Sequence, residues 1–451
     1  MTRRNRVELP RRTGRRRVVE WIKSVLIVVL LCTAVYLAGR SQSYRGLAVS
    51  WLDTVLGITD AAPVASTPPV ARVRIQPATV AFCTGVDLDG VRERCGLQYD
   101  AAAVERAFEA FGRYLGEALA SAGSPTCVTQ RQWQDALQAP GIYLDLLGQV
   151  PLSALAAWLG DGHSNCTLAG QARRLVLADQ GTNSVVLYYL DETDGLYYAC
   201  KTTVPVEGAF TLLLSSHSAN GARFAFEAGE RFAHIDPNVL LPSDTPIPTR
   251  YAGTTPVLIE DTDQLNELQR RLSFQPAGYP TWNSWVNDTL RIGSDGVITY
   301  DGRQGGAARY PVPTADGKTD LAQAIRTALG LAEPLLTLGQ NRNEARLYLI
   351  GTEQTADGWM IRFGYALDGI AVEVDGQQAA ACFWVSGGQI TAYELRMRYY
   401  TALGETSDPL LPETQAAAAL SALGYTGREL RLCYRDSGSG ETTLSASWAA
   451  G

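Results

Sequence analysis

Hydrophobic residues fall at helical spacing over 100–123, where Val104, Phe108, Phe111, Leu115 and Leu119 share one face behind Asp100, and the pattern predicts an amphipathic helix. Just beyond it, "GIYLDLLGQVPLSALAAWLG" (141–160) reads as a strand, a Val-Pro break and a short helix starting near Ser153. Over 183–204 the period changes to two, and Asp194-Gly195 marks the turn of a hairpin. From residue 255 onward a grammar repeats: a helix opening at Asp261 with Thr262 or Asp263 as its cap, then strands and the hairpin "RIGSDGVITYDG" (291–302). A second helix opens near Thr319, followed by alternating strands and the hairpin "WVSGGQITAYE" (384–394), and a third opens near Glu413. Gly296 and Gly388 supply turn conformations that a Cβ disfavours, while Ile298, Tyr300 and Ile390 face a helix-covered core. Helices alternating with antiparallel strands predict an α+β fold of tandem units, each a helix packed on antiparallel sheet.

The longest apolar run lies near the N-terminus. Ser24 to Ala38 carries no charge, and Val18 to Ala38 as a helix is about 31 Å long, enough to span a bilayer core. A secretory signal is the rival reading, but Gly39-Arg40-Ser41 is a poor cleavage site, so an uncleaved anchor is expected. Eight arginines in the first seventeen residues, against Arg40 and Arg45 just after the span, place the N-terminus in the cytoplasm and the bulk of the chain outside a cell membrane crossed once. Segment 43–60 puts Leu47, Trp51, Leu52, Val55 and Leu56 on one stripe, as a juxtamembrane amphipathic helix would. The expected organisation is a basic tail (1–21), a transmembrane helix (22–39), a juxtamembrane helix and Pro/Ala linker (40–77), an α+β domain (78–254), a first helix-plus-hairpin unit (255–316) and further helix-plus-sheet units (317–451).

Charge narrows the partners. Residues 1–40 hold ten Lys/Arg and two acids; with the whole chain at −7, residues 41–451 carry −15. Such an acidic exterior argues against nucleic acid and anionic polymers, which require positive grooves. Seven cysteines lie beyond the span, an odd number without a C-x-x-C, so no zinc site is expected. Cys83 with Cys95 and Cys382 with Cys433 are conceivable disulfides, beside the alternative of buried thiols.

Catalytic candidates are few. "GDGHSNC" puts Asp161, His163 and Cys166 within one turn, whereas a nucleophile, base and orienting group normally converge from separate elements. His234 and Asp236 could pair locally, though an edge-of-sheet turn before Pro237 explains them equally well, and His217 reads as a turn residue. No cofactor or metal site is predicted. Contact residues for a partner are expected in the span (Ile27, Leu30, and the small-residue pair Ala34 and Ala38), in the juxtamembrane helix (Trp51, Val55), and on "YELRMRYY", where Arg396 and Arg398 would share the outer face of one strand.

"GIYLDLLGQVPLSAL", the block 268–302 and the block 362–400 resemble the YycH/YycI family, membrane-anchored accessory proteins of a bacterial sensor histidine kinase that governs cell-wall metabolism. The domain preceding the repeats sides with its YycH branch. The resemblance implies one N-terminal span, tandem helix-plus-sheet units outside, no catalysis, and contacts with the membrane kinase and a second accessory protein of the same kind. The alternative from another class is an anchored extracytoplasmic inhibitor or enzyme acting on peptide or wall polymer, using His163 or His234.

Overall fold

The computed structural model describes residues 75, 77–86, 92–160, 166–256, 260–274, 288–303, 309–315, 318–338, 343–376 and 379–451. The expected span, the 43–60 helix and the Asp161–His163 loop lie outside these residues. Among the described residues no helix is long and apolar enough to cross a membrane.

The N-terminal lobe is built on strands β1 (Pro77–Val86), β2 (Arg92–Gln98), β3 (Thr126–Val128), β4 (Gly141–Pro151), β5 (Gln171–Ala178), β6 (Ser184–Asp191) and β7 (Leu196–Pro205). They form one antiparallel sheet in the order β2-β1-β4-β5-β6-β7-β3. Helix α1 (Ala101–Ser121) lies on one face. Its stripe of Val104, Phe108, Phe111, Leu115 and Leu119 is buried as the spacing predicts, and the Asp100 carboxylate accepts from the Ala103 amide. Helix α2 (Gln130–Gln138), begun by a Thr129–Gln132 capping box, covers the opposite face with Trp133. Helix α3 (Leu152–Leu159) follows the Val-Pro break, and α4 (Ala209–Ser215) joins α1 over the first face. A short pair, β8 (Arg223–Phe224) with β9 (Leu240–Leu241), sits on the α2 side.

The C-terminal lobe begins with β10 (Thr249–Thr254) and α5 (Thr262–Arg271). Asp261, rather than Thr262 or Asp263, caps α5, accepting from the amides of Asp263 and Gln264. Next come β11 (Thr289–Ile292), β12 (Val297–Asp301), the small pair β13 (Thr314–Ala315) and β14 (Lys318–Thr319), and α6 (Leu321–Ala332). Strands β15 (Arg346–Thr355), β16 (Gly358–Leu367), β17 (Ile370–Val374), β18 (Ala381–Ser386), β19 (Gln389–Arg396) and β20 (Tyr399–Thr406) precede α7 (Glu413–Ala422). The chain ends in β21 (Leu430–Asp436), β22 (Thr442–Leu444) and β23 (Ala446–Ala450).

Both glycine-turn hairpins lie in one nine-stranded sheet, edge to edge: β12 pairs β19 antiparallel, from Val297 opposite Arg396 to Asp301 opposite Ala392. The two sequence repeats thus extend a common sheet instead of carrying a sheet each. Helix α6 covers its inner face over Ile298, Tyr300, Ile390, Tyr393 and Phe383. Strand β20 leaves this sheet and joins β10 and β22 in a separate three-stranded one.

The lobes meet where β4 runs beside β15. Gly148 makes this possible, since a Cβ there would lie 2.1 Å from the Leu349 carbonyl oxygen. The Gln171 amide closes the seam, donating to the Thr352 carbonyl at 2.7 Å and accepting from its amide at 3.1 Å. Trp158 and Leu349 pack against the cores of both lobes.

Candidate functional site

Two places combine polar chemistry with an opening: the lobe junction and the outer face of the paired hairpins. At the junction, two adjacent arginines interrupt the apolar run of β5. Arg173 grips Asp145 of β4 through Nε at 2.7 Å and Nη2 at 3.0 Å, and reaches Glu429 of the other lobe through Nη1 at 2.8 Å. Arg174, 2% exposed, donates to Asp236 at 2.8 Å and also to Glu429. Burial alone pushes the Glu429 carboxyl up, but the charges of Arg173 and Arg174 outweigh it and hold the group below the usual carboxylate range. Removing one partner from such a buried set strands an uncompensated charge, so the network fixes the lobes in register. Beside it a cleft of about 510 Å³ is lined by Glu105, Tyr251, Glu344, Arg346 and Asp368, together with Ile75 and Pro77 at the start of the described chain. Asp368 also accepts from the Ala101 amide at 3.1 Å, so the β16–β17 turn helps cap α1 across the junction.

On the outer face of the nine-stranded sheet the pleat presents every second residue. Thr299, Glu394, Cys382 and Arg362 line up across four strands, and Asp301, Ala392, Trp384 and Met360 form the next row. A trough of about 600 Å³ lies over this face. Its charges are mostly matched: Arg303 donates to Asp301 at 2.7 and 3.0 Å, and Arg396 pairs with Glu394. The Arg303 hydrogen bonds hold the Asp301 carboxyl down to about 2. Trp384 is half-buried and belongs to no apolar cluster among the described residues.

Of the predicted contact residues, Ile27, Leu30, Ala34, Ala38, Trp51 and Val55 lie outside the described residues. Arg396 is on the outer face as expected, 31% exposed. Arg398 is not: it is buried, forking onto Asp436 at 2.8 and 2.7 Å and donating to Thr255 at 2.9 Å and the Gly440 carbonyl at 2.8 Å. The alternation argument assumed one continuous strand, but the chain changes sheets between Arg396 and Tyr399, and that crossing turns Arg398 inward. Burial pushes the Asp436 carboxyl up, yet hydrogen bonds from Arg398, the Gly438 amide and Tyr400 leave it below its ordinary value.

Asp161 and His163 lie outside the described residues, and the catalytic candidates within them make structural contacts. His234 Nε2–H donates to the Ala417 carbonyl at 2.8 Å while Asp236 is held by Arg174, so the two are engaged separately. His217 follows the C-terminus of α4 with its ring stacked 3.8 Å from Phe82. Cys166 is half-buried against the N-terminal core. The seven cysteines among the described residues are free thiols. Cys83 and Cys95 occupy successive register positions and so point to opposite faces of the β1–β2 ladder, while β16 and β17 separate Cys382 from Cys433. The signal missed in the sequence was "QARRLVLA": two charges inside a strand-like apolar run announce a buried ion network.

No family model matches the sequence, and no curated protein does. Among solved structures, that of YycH from Bacillus subtilis is similar, with a TM-score of 0.51 at 11% identity, covering 85% of this chain and 96% of that one. At such identity the likeness is one of fold. It extends over both lobes.

Proposed function

We propose that this YycH-like chain is a non-catalytic regulatory protein, anchored by one N-terminal span, that modulates a two-component sensor histidine kinase of cell-wall homeostasis. The fold shared with YycH over nearly the whole of that protein carries the reading. The sequence resemblance in 141–155, 268–302 and 362–400 supports it, as does the structural employment of His217 and His234. A regulator of this kind works by binding one state of the kinase better than the other, since equal affinity for both shifts nothing. In this reading the span and the 43–60 segment contact the kinase and a second accessory protein within and beside the membrane. The exterior lobes, fixed in register by Arg173, Arg174 and Glu429, present a rigid outer surface.

The test replaces residues 22–40 with an unrelated transmembrane segment and follows a reporter of kinase-dependent cell-wall gene output. The expected result is an altered output at equal protein level. Output identical to that of the unaltered chain overturns span-mediated regulation.

A further inference from the structure

Outside the lobe junction, the feature with the most organised unassigned chemistry is the trough over β11, β12, β18 and β19. We propose that it is a binding site for a neutral oligosaccharide. One wall is Trp384, whose register neighbour on β19 is the small Ala392, leaving room beside the indole. An aromatic ring half-exposed on a sheet, and packed into no core, is placed to receive the C–H face of a sugar ring.

The hydroxyls of Thr289 and Thr299 and the carboxylates of Asp301 and Glu394 supply acceptors, while Arg291 and Arg303 supply forked donors. Each carboxylate is paired with an arginine and keeps further lone pairs that can accept from sugar hydroxyls. Each acid is cancelled by its arginine, leaving Arg291 as the one guanidinium of the trough with no ion pair among the described residues. That balance selects the occupant. A polyanion requires a dense positive groove, an apolar peptide requires a hydrophobic one, and a cationic ligand would meet the unbalanced charge of Arg291. A neutral polyol satisfies alternating donors and acceptors and brings an apolar ring face to the indole.

This goes beyond the regulatory reading and stands without it, because binding is measured on the isolated chain. The full-length protein, in a detergent lacking a sugar headgroup, is titrated calorimetrically with chitotetraose, cellotetraose and maltotetraose, and separately with an oligoglutamate peptide. At least one neutral sugar is expected to bind saturably at sub-millimolar concentration. Trp384→Ala and Asp301→Asn are each expected to weaken that binding at least about tenfold, with Trp384→Phe retaining most of it. Unchanged unfolding midpoints show that the variants remain folded, and sugar binding to a Trp384→Phe protein covers the case in which Trp384→Ala does not. No binding by any sugar at millimolar concentration overturns the proposal, as does binding indifferent to Trp384 and Asp301, or a preference for oligoglutamate.

Discussion

Arg396 and Arg398 stand two positions apart and live in opposite surroundings. The first lies on a half-exposed sheet face beside Glu394, where water screens the pair and such contacts contribute about 0–1 kcal/mol. The second is 2% exposed and clamps a carboxylate that is itself 0% exposed, with Tyr400 and Thr442 completing the shell. Truncating Arg398 leaves Asp436 charged in the interior with only neutral donors. Arg398→Met is therefore expected to lower unfolding stability by about 3–5 kcal/mol, whereas Arg396→Ala changes it by less than about 1 kcal/mol. Chemical denaturation of the two variants side by side checks the contrast, and equal effects would show that burial is not what separates them.

At the scale of elements, local pattern and long-range pairing behave differently. The stripe of α1, the Val-Pro break before α3 and the Asp-Gly turn between β6 and β7 are each written within a few residues, and they are where expected. The partnership of β12 with β19 joins residues about a hundred positions apart and leaves no local trace, so tandem units read from repeated hairpins resolve into one sheet. The same non-locality hid the lobe junction, whose members Asp145, Arg173, Arg174, Asp236 and Glu429 come from four separate stretches of the chain. Glycines in the two hairpins offer a test of how each turn is held. Gly296 has φ of 81°, and a Cβ there would sit 2.9 Å from the Met397 carbonyl oxygen; Gly387 has φ of 58° and open space around it. Both alanine replacements incur the left-handed backbone cost of about 1–2 kcal/mol, and only Gly296→Ala adds a clash. Thermal unfolding is expected to rank Gly296→Ala below Gly387→Ala, and the reverse order would mean that the β12–β19 junction yields easily.

At the largest scale among the described residues, the two lobes are joined by Gly148, Gln171 and a buried ion network. Ile75 and Pro77, the first described residues, line the cleft beside the junction. On the proposed regulatory reading, the chain biases a membrane partner only by preferring one of its states, and typical couplings of this kind change an equilibrium by about 5- to 150-fold. The most direct measurement reconstitutes the full-length chain with the cell-wall sensor kinase of the same organism in one bilayer and follows kinase autophosphorylation. The regulatory account predicts a change in the phosphorylated fraction of about fivefold or more on adding the chain, lost when residues 22–40 are replaced. A phosphorylated fraction that stays the same with and without the chain, at saturating ratios in the same bilayer, would contradict it.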